Sequence, residues 1–252
     1  MSPLTIGVIV FACVFSGGML GMFLRSALPE HHLSEESKDT IKVGIGLIAT
    51  MAALVLGLLV ATAKASFDTK SSELTEMSAN TVLLDRVLAH YGPETKTARE
   101  LLRGAVTLLF ERVWPPPKAS QTARLEPAMG RGEDFYDAIQ ALSPKDEAQS
   151  GLKNEALNIA IDLGKLRWLL FEQSSSSIST VFLIVVVFWL TIIFMSFGLF
   201  APYNLTVVIT LLVCAMSVAG AIFLILELDQ PFGGLIQISS APIQSALAHL
   251  GK

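Results

Sequence analysis

Two carboxylates near the C-terminus are the side chains of this sequence best placed to act on an ion. Glu227 and Asp229 follow directly on a long apolar stretch, and a proline and two glycines just after them predict a bend. The simpler interpretation is a helix end that carries interfacial charges. The alternative is that the carboxylates hold cations or pair with Lys64, which ends another apolar stretch, while Phe232 anchors the turn. Glu227, Asp229 and Phe232 are therefore candidate gating or ion-contact residues.

Other reactive groups form no pattern that is typical of catalysis or metal binding. His31 and His32 are adjacent in an acidic loop, where paired histidines are more often solvated than bound to a metal. Cys13 and Cys214 both lie in apolar stretches, so neither a disulfide framework nor a zinc site is supported. The sequence contains no nucleophile elbow, phosphate loop or metalloprotease motif. We expect no enzyme activity, no metal and no cofactor, and an interfacial enzyme using Glu227 and Asp229 is the weakest hypothesis.

Composition narrows the class of protein. The 252 residues carry a formal net charge of −4 without a dense cluster of lysine and arginine, so nucleic acid is not an expected partner. Apolar residues make up 52% of the chain. This share is too high for one soluble domain, yet the middle of the chain is too polar to lie in lipid. The expected partner is a lipid bilayer that holds only part of the protein.

Four apolar stretches are long enough to cross that bilayer. A hydrocarbon core of about 30 Å is crossed by about 20 helical residues, whose backbone groups must bond within their own segment. We predict membrane helices over residues 4–24, 43–64, 178–199 and 205–226, which leave a polar insert between the second and third. The first stretch lacks the basic start and the cleavage site of a secretory signal, so we expect it to be retained.

The polar insert over residues 65–177 is predicted to be helical. An apolar seam recurs at helical spacing in its first part, made of Leu74, Met77, Thr81, Leu84, Leu88 and Tyr91. Neither proline nor glycine occurs between Ala63 and Tyr91, so the second membrane helix should continue as one long helix to the Gly-Pro pair that follows. Ser143, followed by proline, is the expected N-cap of the helix that leads to the third span.

The predicted fold class is an all-α polytopic membrane protein with four transmembrane helices. Its predicted parts are a first helix pair (1–64), a helical cytoplasmic domain (65–177), a second helix pair (178–226) and a C-terminal interfacial tail (227–252). An even number of spans places both termini and the insert on one side of the membrane. Lysines and arginines near the span ends are almost balanced between the two sides, and we assign the insert to the cytoplasm.

The second span has one continuous face of small residues. Gly46, Thr50, Ala53, Gly57 and Ala61 follow one another at steps of three or four. Small faces allow close helix packing in lipid, which is the simpler explanation. The same helix could instead line a pore, where leucine side chains on another face would form constrictions that gate by dewetting. The candidate pore-lining residues are Thr50, Leu54, Gly57 and Ala61, and the candidate residues of the inner pore mouth are Lys64 and Phe67.

The middle of each span lacks ionisable side chains. Proton-coupled carriers and voltage sensors normally need such groups at membrane depth, so both classes are disfavoured. A pore can be built from carbonyl groups, hydroxyl groups and apolar rings alone. The absence of buried charge therefore favours a channel over a carrier.

Three segments resemble those of a known family of bacterial membrane proteins. They run from Leu28 to Lys42, from Gly46 to Asp68 and from Glu227 to Leu235. The sequence of these segments is similar to the DUF4239, or bestrophin-like, family. The resemblance implies a likeness to bestrophins, which are pentameric, mainly anion-conducting channels with four membrane helices and a cytosolic helical body. Bestrophin pores carry aromatic and aliphatic rings on the second membrane helix, whereas here Phe67 is the only nearby aromatic residue.

Two functions are therefore expected from the sequence and its resemblance. The first is an oligomeric channel for small inorganic ions in the bacterial inner membrane. We expect a pentamer, and the resemblance slightly favours anions. The second is a non-conducting membrane scaffold or signalling partner that acts through its helical cytoplasmic domain. The seam from Leu74 to Tyr91 motivates the second, since such a face could bind another helix as readily as its own chain.

Overall fold

The computed structural model describes residues 2–29, 35–114, 129–175 and 180–251, without the side chains of 36–37, 129–133 and 171–175. The His31–His32 pair lies outside the described residues. So do residues 115–128 and the second half of the serine run that precedes the third span.

Eight α-helices account for most of the described residues, which include no β-strand. They are α1 (Pro3–Ala27), α2 (Glu35–Tyr91), α3 (Lys96–Val113), α4 (Met129–Gln140), α5 (Glu147–Ser175), α6 (Thr180–Phe200), α7 (Leu205–Asp229) and α8 (Ala241–His249). Among the described residues, α1, α2, α6 and α7 contain apolar segments long enough to cross a membrane. The predicted all-α class with four membrane helices is confirmed.

Helix α2 is a single uninterrupted helix, as the absence of proline and glycine after Ala63 predicts. It ends at Tyr91, and the next residue, Gly92, has a φ of 135°, a backbone conformation that favours glycine. A short 3-10 helix over Pro93–Thr95 follows. The Thr95 hydroxyl donates to the carbonyl oxygens of Leu88 at 2.6 Å and Gly92 at 2.8 Å. The contact with Leu88 supplies a donor to one of the last carbonyl groups of the helix, whereas the Gly92 carbonyl also accepts the Thr95 backbone amide at 3.3 Å.

The first of two compact units comprises Met1–Phe67 and Ser177–Ile236. Helix α1 packs against α6 and α7 around a core that includes Val14, Val186 and Ile222, none of which is exposed. Glycines allow α1 and α6 to approach closely, because a Cβ atom on Gly21 would lie 1.9 Å from the Met195 carbonyl oxygen. Helix α2 joins this core through a narrow apolar face, made of Val55, Leu56 and Leu59.

The second unit comprises Asp68–Ser176 and Gln237–Lys252. All six seam residues of α2 are buried in it, with exposed fractions of 5% or less. Leu84 and Leu88 share a core with Leu102 of α3 and Ile139 of α4, among others. Because the seam is covered by its own chain, it is not available to bind another helix. The observation that motivated the alternative scaffold function is thereby removed.

The end of the chain is divided between the two units. Residues up to Ile236 belong to the first, and the segment from Gln237, which contains the unpredicted helix α8, belongs to the second. In that unit the Trp114 indole donates to the Ile238 carbonyl oxygen at 3.3 Å, and the Gly251 amide donates to Asp85 at 3.3 Å. The structure therefore divides the segment 227–252, expected to be one interfacial tail, at Ile236.

The start of α5 differs from the prediction. Ser143 was expected as the N-cap, but the helix begins at Glu147, and the Asp146 carboxylate accepts the Gln149 amide at 2.7 Å. Asp146 is therefore the N-cap. Aspartate and serine are about equally good caps, and the proline after Ser143 favoured the earlier residue in the sequence.

Candidate functional site

The membrane segment of α2 is covered by its own chain far less than the other three. In its most apolar window only 6% of the residues are buried, against 39% in α1, 33% in α6 and 28% in α7. The buried side is small, with Ala52 and Ala63 each 2% exposed. The rest of this helix therefore faces lipid, water or other protein chains.

All four candidate pore-lining residues lie on the uncovered side of α2. Thr50, Leu54, Gly57 and Ala61 are exposed, and Leu54 is 74% exposed. A Cβ atom on Gly57 would meet no atom within 4 Å. The small face is thus not used for packing within the chain, in contrast to the glycines of α1. Large apolar side chains share this side, namely Val43, Leu47, Met51 and Leu58.

The hydroxyl of Thr50 is satisfied within its own helix. It donates to the carbonyl oxygens of Leu47 at 2.7 Å and Gly46 at 3.1 Å. A threonine that donates back to its own helix needs no other partner in an apolar environment, and its oxygen can still accept a hydrogen bond. Thr50 can therefore offer one acceptor to water or an ion without leaving an unsatisfied donor.

The two candidate residues of the inner mouth lie together. The Lys64 ammonium nitrogen is 5.8 Å from the centroid of the Phe67 ring, within the range of a cation–π contact. Phe67 is partly buried against an apolar cluster that includes Ala63, Ile225 and Leu228. The predicted meeting of the ends of the second and fourth spans is therefore found, and apolar packing holds it together.

Glu227 holds the loop that follows α7. Its side chain is only 4% exposed, and Oε2 accepts the backbone N–H groups of Leu235 at 2.5 Å and Ile236 at 3.4 Å. Ile236 packs on the cluster that contains Phe67. Sequence reasoning found the carboxylate but missed these two amides, for which the neighbouring glycine pair was the available signal. Asp229 and Phe232 are partly buried.

Gly234 leaves the space in which the Glu227 carboxylate lies. A Cβ atom there would be 2.1 Å from Glu227 Oε2, so Gly234→Ala should displace the carboxylate from its amide donors. We expect the free energy of unfolding to fall by about 1.5–3 kcal/mol, the usual contribution of hydrogen bonds to a charged group. Denaturant titration of the purified protein measures this. Gly233→Ala is the matched control, because its Cβ would meet no atom within 4 Å. Equal losses in the two variants would contradict the role given to Glu227.

Metal chemistry finds no support in the described part of the chain. Its His, Cys, Asp and Glu residues form no group of three or more that could hold an ion. Glu227 acts on backbone amides, and the uncovered side of α2 offers apolar groups and the hydroxyls of Thr50 and Thr62 between Val43 and Ala63. This arrangement can hold or exclude water and ions along a helix, and it contains no constellation that performs a covalent reaction.

Comparisons with known proteins agree with the fold. Two crystal structures of point mutants of a bacterial bestrophin homologue from Klebsiella pneumoniae are similar in fold. Each covers 96% of this chain and 97% of its own at 12% identity, with TM-scores of 0.67 and 0.61. No protein of curated function matches the sequence. The model of the bestrophin-like domain matches residues 12–243, which is most of the chain, and this membrane protein therefore belongs to the bestrophin-like family.

Proposed function

We propose that several copies of this chain, five by family resemblance, assemble into an ion channel whose pore is lined by α2. The observation that carries the proposal is the uncovered side of α2, which one chain leaves without protein neighbours. The channel would lie in the bacterial inner membrane, with both termini and the helical unit around Asp68–Ser176 in the cytoplasm. Membership of the bestrophin-like family and the likeness to bestrophin structures support this assembly.

The proposed pore would be apolar at membrane depth. Leu47, Leu54 and Leu58 lie on the same uncovered side, so symmetry would place each of them in a ring around the axis. Rings of leucine create short dry segments that gate by dewetting. Gly57 and Ala61 occupy little volume and would leave wider segments near the rings. Thr50 supplies an acceptor for water or an ion.

The charge at the inner end favours anions. The first charged side chain that follows the apolar segment of α2 is Lys64, which is exposed. A ring of Lys64 ammonium groups would raise the local concentration of anions at the mouth, because a cleft lined by one sign of charge concentrates the opposite ion. Phe67, which packs on the same apolar cluster as Ile236 of the loop held by Glu227, would fix the position of the helix there. Glu227, Asp229 and Phe232 are then supporting or gating residues.

Single-channel recording in a planar lipid bilayer tests this function. The wild-type protein should give discrete currents, and Leu54→Ser should raise the open probability several-fold because a hydroxyl wets this apolar ring. Lys64→Glu should move the reversal potential toward that of the cation. Met216→Ser on α7 is the matched control, since Met216 is also apolar and 58% exposed but lies on another helix. A folded wild-type protein that remains silent, or equal effects of Leu54→Ser and Met216→Ser, would contradict the proposal.

A further inference from the structure

A cavity lies among four helices of the second unit, and none of its lining residues is a proposed pore residue. Its volume is about 130 Å³, and it opens at the surface of the unit. Met77 of α2, Leu109 of α3, Phe135 of α4 and Gly164 of α5 line it, so every helix at this place contributes a wall. An apolar cavity of roughly 150 Å³ is large enough to take up a benzene-sized molecule.

The walls of the cavity are apolar. The one hydroxyl in the lining belongs to Thr81, and it already donates to the Met77 carbonyl oxygen at 2.7 Å. Met77 and Phe135 are 5% and 7% exposed, so these two lining side chains are buried. Water gains few hydrogen bonds on such a surface, whereas an alkyl chain or a ring loses unfavourable contact with water there.

A cation completes the lining. Arg167 lines the cavity from α5, and within the described chain it forms neither a hydrogen bond nor an ion pair. A guanidinium group presents several donors in a planar fork that matches a carboxylate, and such bidentate pairs are among the strongest polar contacts. An apolar chamber next to a guanidinium that pairs with none of the described residues is complementary to a molecule that has an apolar body and a single anionic head.

From this complementarity we infer that the cavity is a binding site for a small amphiphilic carboxylate. The short alkyl or aryl part occupies the chamber between Met77, Leu109 and Phe135. The carboxylate remains at the opening, where it pairs with Arg167. The site is independent of conduction, so it stands or falls separately from the proposed channel.

Gly164 provides a means to close this site without disturbing the fold. A Cβ atom on Gly164 would meet no atom within 4 Å, because the residue borders empty space. A leucine at this position can therefore grow into the cavity and fill it. Replacement of a helix-interior glycine by leucine also raises helix propensity, so the variant should fold at least as well as the wild type. Gly151 lies on the same helix, also has open space and does not line the cavity, which makes Gly151→Leu the matched control.

Fluorine NMR of the full-length protein in lipid nanodiscs tests the inference. The probe is a hexanoate that ends in a trifluoromethyl group, and its line broadening is titrated against protein. The corresponding alcohol and amine have the same body with a neutral or a cationic head. We expect Gly164→Leu to abolish specific broadening and Arg167→Gln to weaken carboxylate binding about tenfold or more, while it leaves alcohol binding unchanged. Gly151→Leu should bind as the wild type does.

Several outcomes would overturn the inference. If the wild-type protein binds none of the three probes, the cavity is not a binding site for this class of molecule. If Gly164→Leu binds as the wild type does, the broadening arises from the lipid or from another surface. If the amine binds as tightly as the carboxylate, Arg167 does not select the head group. Circular dichroism of each variant shows that the result refers to folded protein.

Discussion

Gly21→Ala is expected to lower the free energy of unfolding by about 1–3 kcal/mol, the usual cost of overpacking a well-packed core. The new Cβ atom would lie 1.9 Å from the Met195 carbonyl oxygen, 2.8 Å from its carbon and 2.9 Å from the Leu199 nitrogen. All three are backbone atoms, so no side chain can move away to make room. Helices α1 and α6 would have to separate, and much of the core around Val14 and Phe194 would loosen with them.

The measurement is a denaturant titration in detergent, followed by circular dichroism. Gly220→Ala on α7 is the matched control, since its Cβ would meet no atom within 4 Å. Because alanine favours a helix over glycine by about 0.5–1 kcal/mol, the control should be neutral or slightly more stable. Gly198→Ala should repeat the loss, because its Cβ would lie 2.0 Å from the Gly18 carbonyl oxygen. If Gly21→Ala behaves like Gly220→Ala, the close approach of α1 and α6 is contradicted.

The glycines also show what the sequence could and could not predict about the fold. Small residues at helical spacing were visible on α2, where packing was the simpler explanation, and α1 contains glycines as well. The structure separates the two cases, because Gly21 abuts the backbone of α6 whereas Gly57 has no atom near its Cβ position. Periodicity reveals which side of a helix is small, but the partner of that side depends on contacts between distant parts of the chain.

Long elements were predictable because they depend on local properties of the sequence. The four apolar segments and the continuous α2 follow from composition and from the absence of proline and glycine, which are local properties. Helix α8 was missed because a helix of about ten residues is marginal by itself and depends on tertiary packing. In the candidate site, Glu227 and Lys64 could be found as charges at span ends. Their partners could not, because the amides of Leu235 and Ile236 reach Glu227 only after the loop has folded.

The second large effect is expected at Asp85, which is buried in the second unit. The side chain is 1% exposed and accepts hydrogen bonds from Arg99 Nε at 2.7 Å, from Arg99 Nη2 at 2.9 Å and from the Gly251 amide at 3.3 Å. Asp85→Asn keeps the shape but removes the charge, and it leaves Arg99 half-buried without a counter-ion. Breaking one partner of a buried pair costs about 3–5 kcal/mol. Thermal unfolding of the purified protein should show this loss.

The dependence of this loss on pH identifies its cause. Burial raises the pKa of Asp85, but the Arg99 hydrogen bonds, the Gly251 amide and the positive charges of Arg99 and Arg86 together hold it below its ordinary value of 3.8. A carboxyl whose pKa is lower in the folded state contributes stability above its unfolded pKa, and the contribution disappears as the pH falls through the folded value. The difference between wild type and Asp85→Asn should thus be constant near neutral pH and shrink below about pH 4.

Two variants separate the ion pair from simple loss of packing. Asp85→Leu combined with Arg99→Met replaces the pair by apolar side chains, and it should recover much of the stability that Asp85→Asn loses. Glu94→Gln breaks the exposed Lys145–Glu94 pair and should have little effect, because water screens that pair. Hydrogen exchange adds a local measurement: since Gly251 donates to Asp85, amides of α8 should exchange faster in Asp85→Asn. Unchanged exchange in α8, together with a loss of stability that persists at acid pH, would contradict the role given to the charge of Asp85.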